Sequence, residues 1–379
     1  MRVLIAGGGT GGHLYPGIAL ARELQRRDST AHVSFAGTAQ GIEARVVPRE
    51  GFQLDLLRVT GLKGKKRVER LRGFLLLPIA ALDAWRIVTM QRPDVVVGVG
   101  GFASGPVLAV AALRGYPTML LEQNALPGIT NRLLARLVRA AAVNFEEALR
   151  YFPRTGFVAG NPVRPEFFPA QNEEEYDPFD SIDTASGVNL AQGKPAQDAG
   201  RILVFGGSQG AHAINVAMVE AAARLAASGI RLAITHQTGE RDLDLVRTAY
   251  QRAGLEARVE SFIFQIDGEM KAADVVVSRA GATTLSELAA SGRPAILVPL
   301  PTSTDDHQCK NADVVAKAGA AVVIEERDLN TGALGEALAS LLAEPARRRQ
   351  MGRAAARLAR PDAAARIADR VEELARHAR

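Results

Sequence analysis

Short runs of β-branched and aliphatic residues alternate along this chain with longer stretches in which apolar positions recur every three or four residues. The short runs predict strands buried on both faces, and the longer ones predict helices packed over them. In the first half the strand runs fall at 32–36, 95–99, 118–122 and 141–144, and in the second at 232–235, 275–278, 295–298 and 321–324. Two openings match at an offset of 199 residues, Arg2 against Arg201. Arg2-Val3-Leu4-Ile5-Ala6 leads into Gly7-Gly8-Gly9-Thr10-Gly11-Gly12-His13, and Arg201-Ile202-Leu203-Val204-Phe205 leads into Gly206-Gly207-Ser208-Gln209-Gly210-Ala211-His212. A helical period follows each: Ile18, Ala19, Leu20 and Leu24, then Ile214, Val216, Ala217, Val219 and Leu225. Strand, glycine turn and helix open a doubly wound α/β unit, so two openings predict two similar domains.

Residues 95–113 are uncharged for 19 positions, but a centre of Gly98-Val99-Gly100-Gly101-Phe102-Ala103-Ser104-Gly105-Pro106 reads as strand, loop and helix start rather than a membrane span. The stretch 160–200 is rich in Pro, Asn, Glu, Asp and Gly and marks the domain boundary, with 171–198 an acidic surface insertion. The tail 346–379, after Pro345, is rich in Ala, Arg and Glu and reads as solvated helix.

Composition narrows the picture. With 379 residues, 47% hydrophobic and 23% charged, the chain suits a two-domain globular protein and excludes a disordered, collagenous or multi-spanning one. One cysteine, Cys309, excludes an intrachain disulfide and a cysteine-cluster metal site and suits a reducing compartment. The N-terminus lacks the long apolar run of a signal peptide, so the cytoplasm is expected. Net charge is +5, unevenly placed: residues 1–170 hold 22 Lys and Arg against 12 Asp and Glu. That half is where an anionic surface or ligand is expected. Aromatics are 5%, with no basic–aromatic interleaving, so nucleic acid is not an expected partner.

The candidate chemistry sits in the glycine turns. Gly7–Gly12 contains GxGxxG, but the following strand ends Phe35-Ala36-Gly37-Thr38, without the acidic residue that holds a dinucleotide ribose, and NAD is disfavoured. What survives is backbone N–H groups at a helix start, able to approach a pyrophosphate or a polar sugar. His13 reads as a general base facing a cleft, with capping or packing as the alternative. His212, its counterpart, reads as structural. Gly206-Gly207-Ser208-Gln209-Gly210 offers a hydroxyl and a second helix N-terminus for a diphosphate. In 274–287 a buried run ends in Arg279 and Gly281, then Thr283 and Thr284 open a helix with Glu287 one turn inside. These can neutralise phosphate and hold ribose hydroxyls; a capping box with a surface arginine is the plainer alternative. Asp305 to Asn311 form a polar cluster suited to sugar hydroxyls, and no spacing matches a standard metal-ligand set. Asp242-Leu243-Asp244 mimics the Asp-x-Asp of metal-dependent sugar transferases, but 240–250 reads as an exposed helix. Lys63, Lys65, Lys66, Arg67, Arg70 and Arg72 precede Phe74, Leu75, Ile79, Leu82 and Trp85. That pattern fits either an interfacial contact with anionic lipid or a core helix beside a basic loop.

Taken together, GGGTGGHLYP (7–16), GGFASGP (100–106), Glu122-Gln123-Asn124, GNPVR (160–164), GGSQGA (206–211), 278–287 and 307–311 resemble the MurG family of peptidoglycan N-acetylglucosaminyltransferases. The resemblance covers nearly the whole chain. It implies an α/β GT-B fold, two Rossmann-like doubly wound parallel-sheet domains facing a cleft, with no cofactor or metal. It implies inverting transfer of GlcNAc from UDP-GlcNAc to the 4-hydroxyl of a muramyl-pentapeptide on undecaprenyl diphosphate. The site would be the cytoplasmic face of the bacterial inner membrane, among other cell-wall synthesis proteins. The expected division is an acceptor and membrane-docking domain over 1–163, a linker over 164–200, a donor domain over 201–360, and a helix over 361–379 returning to the first domain.

Carried over by position, His13 is the base and Glu122 a rival or orienting partner. UDP-GlcNAc would meet Thr10, Gly11, Gly12, Asn124, Arg164, Ser208, Ile263, Arg279, Ala282, Thr283, Thr284, Leu285, Ser286, Glu287 and Gln308. Lys65, Lys66, Arg67, Leu75, Ile79, Leu82 and Trp85 would dock on an anionic membrane surface. The chain departs from the family pattern in the length of 171–198 and by about one residue at 301–306, which bears on Gln308. Another GT-B enzyme using UDP-GlcNAc, such as a 2-epimerase or glycolipid transferase, and a non-catalytic nucleotide-sugar-binding scaffold remain open at this point.

Overall fold

A computed structural model describes residues 1–59, 67–169, 199–207 and 210–377, with the side chains of 67–77, Thr304 and Thr331 outside that set. The chain forms two units, Met1–Arg164 with Arg360–Arg379, and Pro165–Ala359.

The first unit is built on seven parallel strands: β1 (Arg2–Gly7), β2 (His32–Gly37), β3 (Gln53–Leu56), β4 (Val95–Gly100), β5 (Thr118–Glu122), β6 (Ala140–Val143) and β7 (Gly156–Val158), ordered β3-β2-β1-β4-β5-β6-β7. Helices α1 (Gly11–Arg27), α2 (Glu43–Arg49), α3 (Arg67–Gln91), α4 (Ser104–Leu113) and α5 (Ile129–Leu134) connect them. The central strands are mostly apolar because both faces are covered, with Ser34 inside β2 and Arg2, His32, Thr118 and Glu122 at strand ends as the exceptions. Val3, Ile5, Val33, Val95 and Val97 join Leu14, Ile18 and Leu24 of α1 in one core layer. Leu4, Ala6 and Val96, one residue out of phase, join Ala84, Ile87, Val107 and Leu108 of α3 and α4 in the other. β1 pairs with β2 through Val3–Val33 and with β4 through Val3–Val95, and the β1–β4 register slips after Ala6 so that Gly7 meets Gly100.

The second unit repeats the plan with β8 (Gly200–Phe205), β9 (Leu232–Gln237), β10 (Ala257–Glu260), β11 (Val275–Ser278), β12 (Ala295–Leu297) and β13 (Ala321–Val323), ordered β10-β9-β8-β11-β12-β13. Its helices are α6 (His212–Ala227), α7 (Leu243–Arg252), α8 (Ile266–Ala272), α9 (Ala282–Ser291), α10 (His307–Lys317), α11 (Ala333–Ala343) and α12 (Pro345–Leu358). In each sheet the order reverses beside the first strand, between β1 and β4 and between β8 and β11, where a doubly wound sheet leaves room for a ligand. Both glycine turns lie there.

The tail is not a solvated helix. α12 buries Met351 and Ala355, and a final helix, α13 (Ala363–Arg376), sinks Ile367, Ala368 and Val371 into the core of the first unit. Each such Ile or Val side chain contributes about 1.5–3 kcal/mol of hydrophobic stabilisation. Arg27 fastens α13 from outside through Asp369 and Glu372. Residues 95–113 are β4, a turn and α4, and among the described residues no helix is long and apolar enough to cross a membrane. The acidic insertion 171–198 lies outside the described residues.

Candidate functional site

In the first unit the loops after β1, β4 and β5 meet at the C-terminal edge of the sheet. The Gly8 N–H donates to Gly100 O (3.3 Å). At Gly101, whose φ is +80°, a Cβ would lie 2.2 Å from Gly8 O, so the two loops touch backbone to backbone and only glycine fits. Thr10 is extended and precedes α1; Gly11 and Gly12 form the first turn, and His13 follows half-buried. The His13 Nδ1 lies 3.2 Å from the Thr10 hydroxyl oxygen. Its ring lies over Gly100, where a Cβ would come within 2.5 Å of Cδ2. The sequence pairing of GGGTGGH with GGFASGP is therefore a physical seat for one imidazole.

Glu122 ends β5 with 2% exposure. One carboxylate oxygen accepts from the Asn124 N–H (2.9 Å) and Nδ2 (3.1 Å), the other from the Gly128 N–H (3.2 Å) and Asn131 Nδ2 (2.8 Å). Burial pushes this carboxyl above its ordinary range, and the donors from Asn124, Asn131 and Gly128 pull against that rise. The carboxylate shapes the 122–131 loop and turns Asn124 to the half-buried side. The Arg164 guanidinium stacks over the Tyr15 ring of α1 at 5.3 Å.

Of the stretch assigned to the membrane, Lys65 and Lys66 lie outside the described residues, and Arg67 and Leu75 belong to α3 with their side chains outside that set. α3 buries Ala80, Ala84, Ile87 and Val88 while Leu82 is 69% and Trp85 54% exposed, with Ile79 half-buried. The Arg114 guanidinium sits 4.3 Å over the Trp85 ring. One helix thus has both a core face and an apolar outer face.

In the second unit Ser208 lies outside the described residues. Ile263 is buried, and its N–H donates to Gln237 Oε1 (2.9 Å) while Gln237 Nε2 donates to Gly207 O (2.9 Å). Gln237, which the sequence pattern did not single out, therefore ties the glycine turn to Ile263. α9 buries Ala282 and Leu285 and leaves Thr283, Thr284, Ser286 and Glu287 half-buried, with the Ser286 hydroxyl donating to Ala282 O (3.0 Å). The Arg279 guanidinium donates to Val298 O (3.2 Å) and Pro299 O (3.3 Å) and pairs with Glu326 (2.5 Å), so it braces the turn after β12. Gln308 Oε1 accepts from the Leu300 N–H (3.0 Å) across the same turn.

The Asp-x-Asp pair splits. Asp242 is not on an exposed helix but is the buried residue before α7, accepting from Asn215 Nδ2 (2.8 Å) and pairing with His212 Nδ1 (3.0 Å), while Asp244 points to solvent. Behind it Asn215 Oδ1 lies 3.1 Å from His236 Nε2, and His236 Nδ1 lies 2.9 Å from the Tyr250 hydroxyl. Burial pushes the His236 imidazole down to about 3. This chain of polar groups makes His212 part of the fold.

Residues 3–143 match the glycosyltransferase family 28 N-terminal domain and residues 201–367 its C-terminal domain. A UDP-N-acetylglucosamine–N-acetylmuramyl-(pentapeptide) pyrophosphoryl-undecaprenol N-acetylglucosamine transferase of Anaeromyxobacter dehalogenans (strain 2CP-C) is 48% identical over 99% of this chain and 94% of its own. The protein of that name from Myxococcus xanthus (strain DK1622) is 45% identical over 97% and 92%. The crystal structure of Acinetobacter baumannii MurG superposes with a TM-score of 0.76 at 28% identity, over 98% of this chain and 99% of that one. A UDP-N-acetylglucosamine 2-epimerase superposes at 0.63 with 12% identity over 100% and 96%, a likeness of fold alone. Two glycine-turn sheets of GT-B type and identity along nearly the whole length lead to one conclusion: this chain belongs to glycosyltransferase family 28, among the MurG N-acetylglucosaminyltransferases.

Proposed function

We propose that the chain transfers GlcNAc from UDP-GlcNAc to the 4-hydroxyl of muramyl-pentapeptide on undecaprenyl diphosphate, with inversion, completing the lipid-linked disaccharide of peptidoglycan. The observation that carries this is 48% identity across nearly the full length to transferases of that name. His13 is the base. The Thr10 hydroxyl oxygen 3.2 Å from Nδ1 favours the tautomer protonated at Nδ1, in which Nε2 carries the lone pair and accepts the acceptor's hydroxyl proton. The acceptor oxygen then bonds to C1 of GlcNAc, and the C1–O bond to UDP breaks with its electron pair leaving on the diphosphate. That charge is met by N–H groups of the 206–211 turn and the N-terminus of α9, with the Thr283 and Thr284 hydroxyls beside them. Arg279, engaged by Val298, Pro299 and Glu326, acts as the brace of this region, a role its sequence position did not reveal. Because the Ile263 N–H is taken by Gln237, its carbonyl is the group for the uracil. Glu287 holds the ribose, and Gln308 meets GlcNAc through its amide nitrogen. Glu122 orients Asn124 and is not the base, because its four acceptor directions are filled. Leu82, Trp85 and Ile79, with the basic residues before them, dock on the anionic cytoplasmic face of the inner membrane.

The test is transfer of labelled GlcNAc from UDP-GlcNAc to the lipid-linked muramyl-pentapeptide with EDTA present. Product formation that is lost in His13→Ala, with UDP-GlcNAc binding kept, is expected. Donor binding by the wild type without any transfer overturns the acceptor assignment.

A further inference from the structure

Glu43, the first residue of α2, is a charged group buried at the base of the catalytic loop, with 1% exposure. Three donors surround its carboxylate. The Gly9 N–H donates to Oε2 (2.6 Å), and the Thr38 N–H and hydroxyl both donate to Oε1 (2.8 Å each). The Thr38 hydroxyl oxygen in turn accepts from the Gly41 N–H (3.2 Å). Backbone closes on the carboxylate from three sides: a Cβ at Gly8, Gly37 or Gly41 would lie 2.4, 2.6 or 2.1 Å from Glu43 atoms. The β1–α1 loop, the end of β2 and the turn into α2 thus form a socket around one side chain.

We propose that Glu43 is a positioning residue for the transfer reaction, holding the Gly8–Gly9 backbone so that Thr10 and His13 keep their catalytic geometry. Gly7, Gly8 and Gly9 have φ of +150°, +138° and +86°, and consecutive glycines have many alternative conformations to escape into. Two bonds pin them, Gly8 N–H to Gly100 O and Gly9 N–H to Glu43. The first fixes the loop against the end of β4 and the second, through Glu43, against the β2–α2 turn, and His13 follows four residues after Gly9. A carboxylate suits the socket because every group facing it is a donor. A glutamine of the same shape brings one acceptor oxygen and two further donors, so one N–H would face another N–H. An unmade bond of this kind corresponds to about tenfold or more in an equilibrium or rate.

The inference rests on the proposed reaction, and the experiment separates the two. Wild type, Glu43→Gln and Gly41→Ala are compared in the transfer assay at saturating donor, each kcat divided by the calorimetric stoichiometry of UDP-GlcNAc binding. That division counts donor-competent molecules, and a thermal melt of each variant gives the fraction with both units folded at the assay temperature, so a merely structural role leaves kcat per folded site unchanged. The expected result is a fall of about tenfold or more per site in Glu43→Gln. Gly41→Ala keeps the carboxylate but pushes it off the Gly9 N–H, and it too lowers kcat per site. If Glu43→Gln does not fold, Gly41→Ala alone decides. Wild-type kcat per site in the folded variants overturns the positioning role, whereas an inactive wild type overturns the reaction itself.

Discussion

Gly100→Ala tests whether His13 is the base by displacing the imidazole without changing its chemistry. An ideal Cβ at Gly100 lies 2.5 Å from His13 Cδ2 and 3.0 Å from Nε2. Carbon atoms in contact sit roughly 3.5 Å or more apart, so the ring must retreat by about 1 Å. A displacement of that size from an attacking geometry costs about a hundredfold in rate. The substitution also strains the backbone, since φ at Gly100 is +95°, and that strain costs about 1–2 kcal/mol of stability. Gly115 supplies the control: its φ is +81° and nothing lies within 4 Å of an added Cβ. Gly115→Ala therefore carries the same kind of backbone strain and leaves His13 alone. Initial rates of transfer at saturating UDP-GlcNAc, divided by the number of donor-binding sites, are measured for both variants beside thermal melts. Both melt lower than wild type. Gly115→Ala keeps kcat per site within about twofold, and Gly100→Ala loses about a hundredfold. Equal kcat in the two variants would refute the assignment of His13 as base.

Three further outcomes are expected. His236 is neutral in the fold, with its imidazole pushed by burial from 6.5 to about 3, so the unfolded chain binds the extra proton first as pH falls. Its contribution to stability is complete above pH 6.5 and drains away toward pH 3, by up to about 1.4 kcal/mol per pH unit. Melts of His236→Gln across that range should show a flatter acid limb, and an identical slope would remove His236 as the cause. Glu287→Ala should abolish a preference of about tenfold or more for UDP over its 2′-deoxy analogue, read by calorimetry; a preserved preference places the ribose elsewhere. Replacing Leu82 and Trp85 together by alanine should weaken binding to anionic vesicles by about tenfold or more in sedimentation, whereas unchanged sedimentation would leave the exposed face of α3 without a membrane role.

The interior strands were legible because burial on both faces leaves a local trace. β1, β4, β5, β8, β11 and β12 each carry an apolar run of at least three residues, with polar residues only at their ends, whereas of the edge strands β13 was found and β3, β7 and β10 were not. Gln53-Leu54-Asp55-Leu56 and Ala257-Arg258-Val259-Glu260 alternate, as strands covered on one face do, and Gly156–Val158 is three residues long. The residue pattern of α13, read by itself as solvated helix, misled for a related reason: a ring of Arg and Glu outnumbers Ile367 and Val371, and only the presence of a sheet to cover shows which face counts.

The sequence by itself determined the two glycine-turn sheets, the placing of His13 behind the first turn, and the polar helix start at 282–287, because these depend on residues adjacent in the chain. The tertiary structure alone decided what each polar side chain touches. Glu43 reaches back 34 residues to Gly9, Gln237 joins Gly207 to Ile263, Glu122 fills its acceptors from its own loop, and Arg279 turns toward Val298, Pro299 and Glu326. A hydrogen bond is satisfied by whichever group the fold delivers within about 3 Å, and no local pattern of residue types records that delivery.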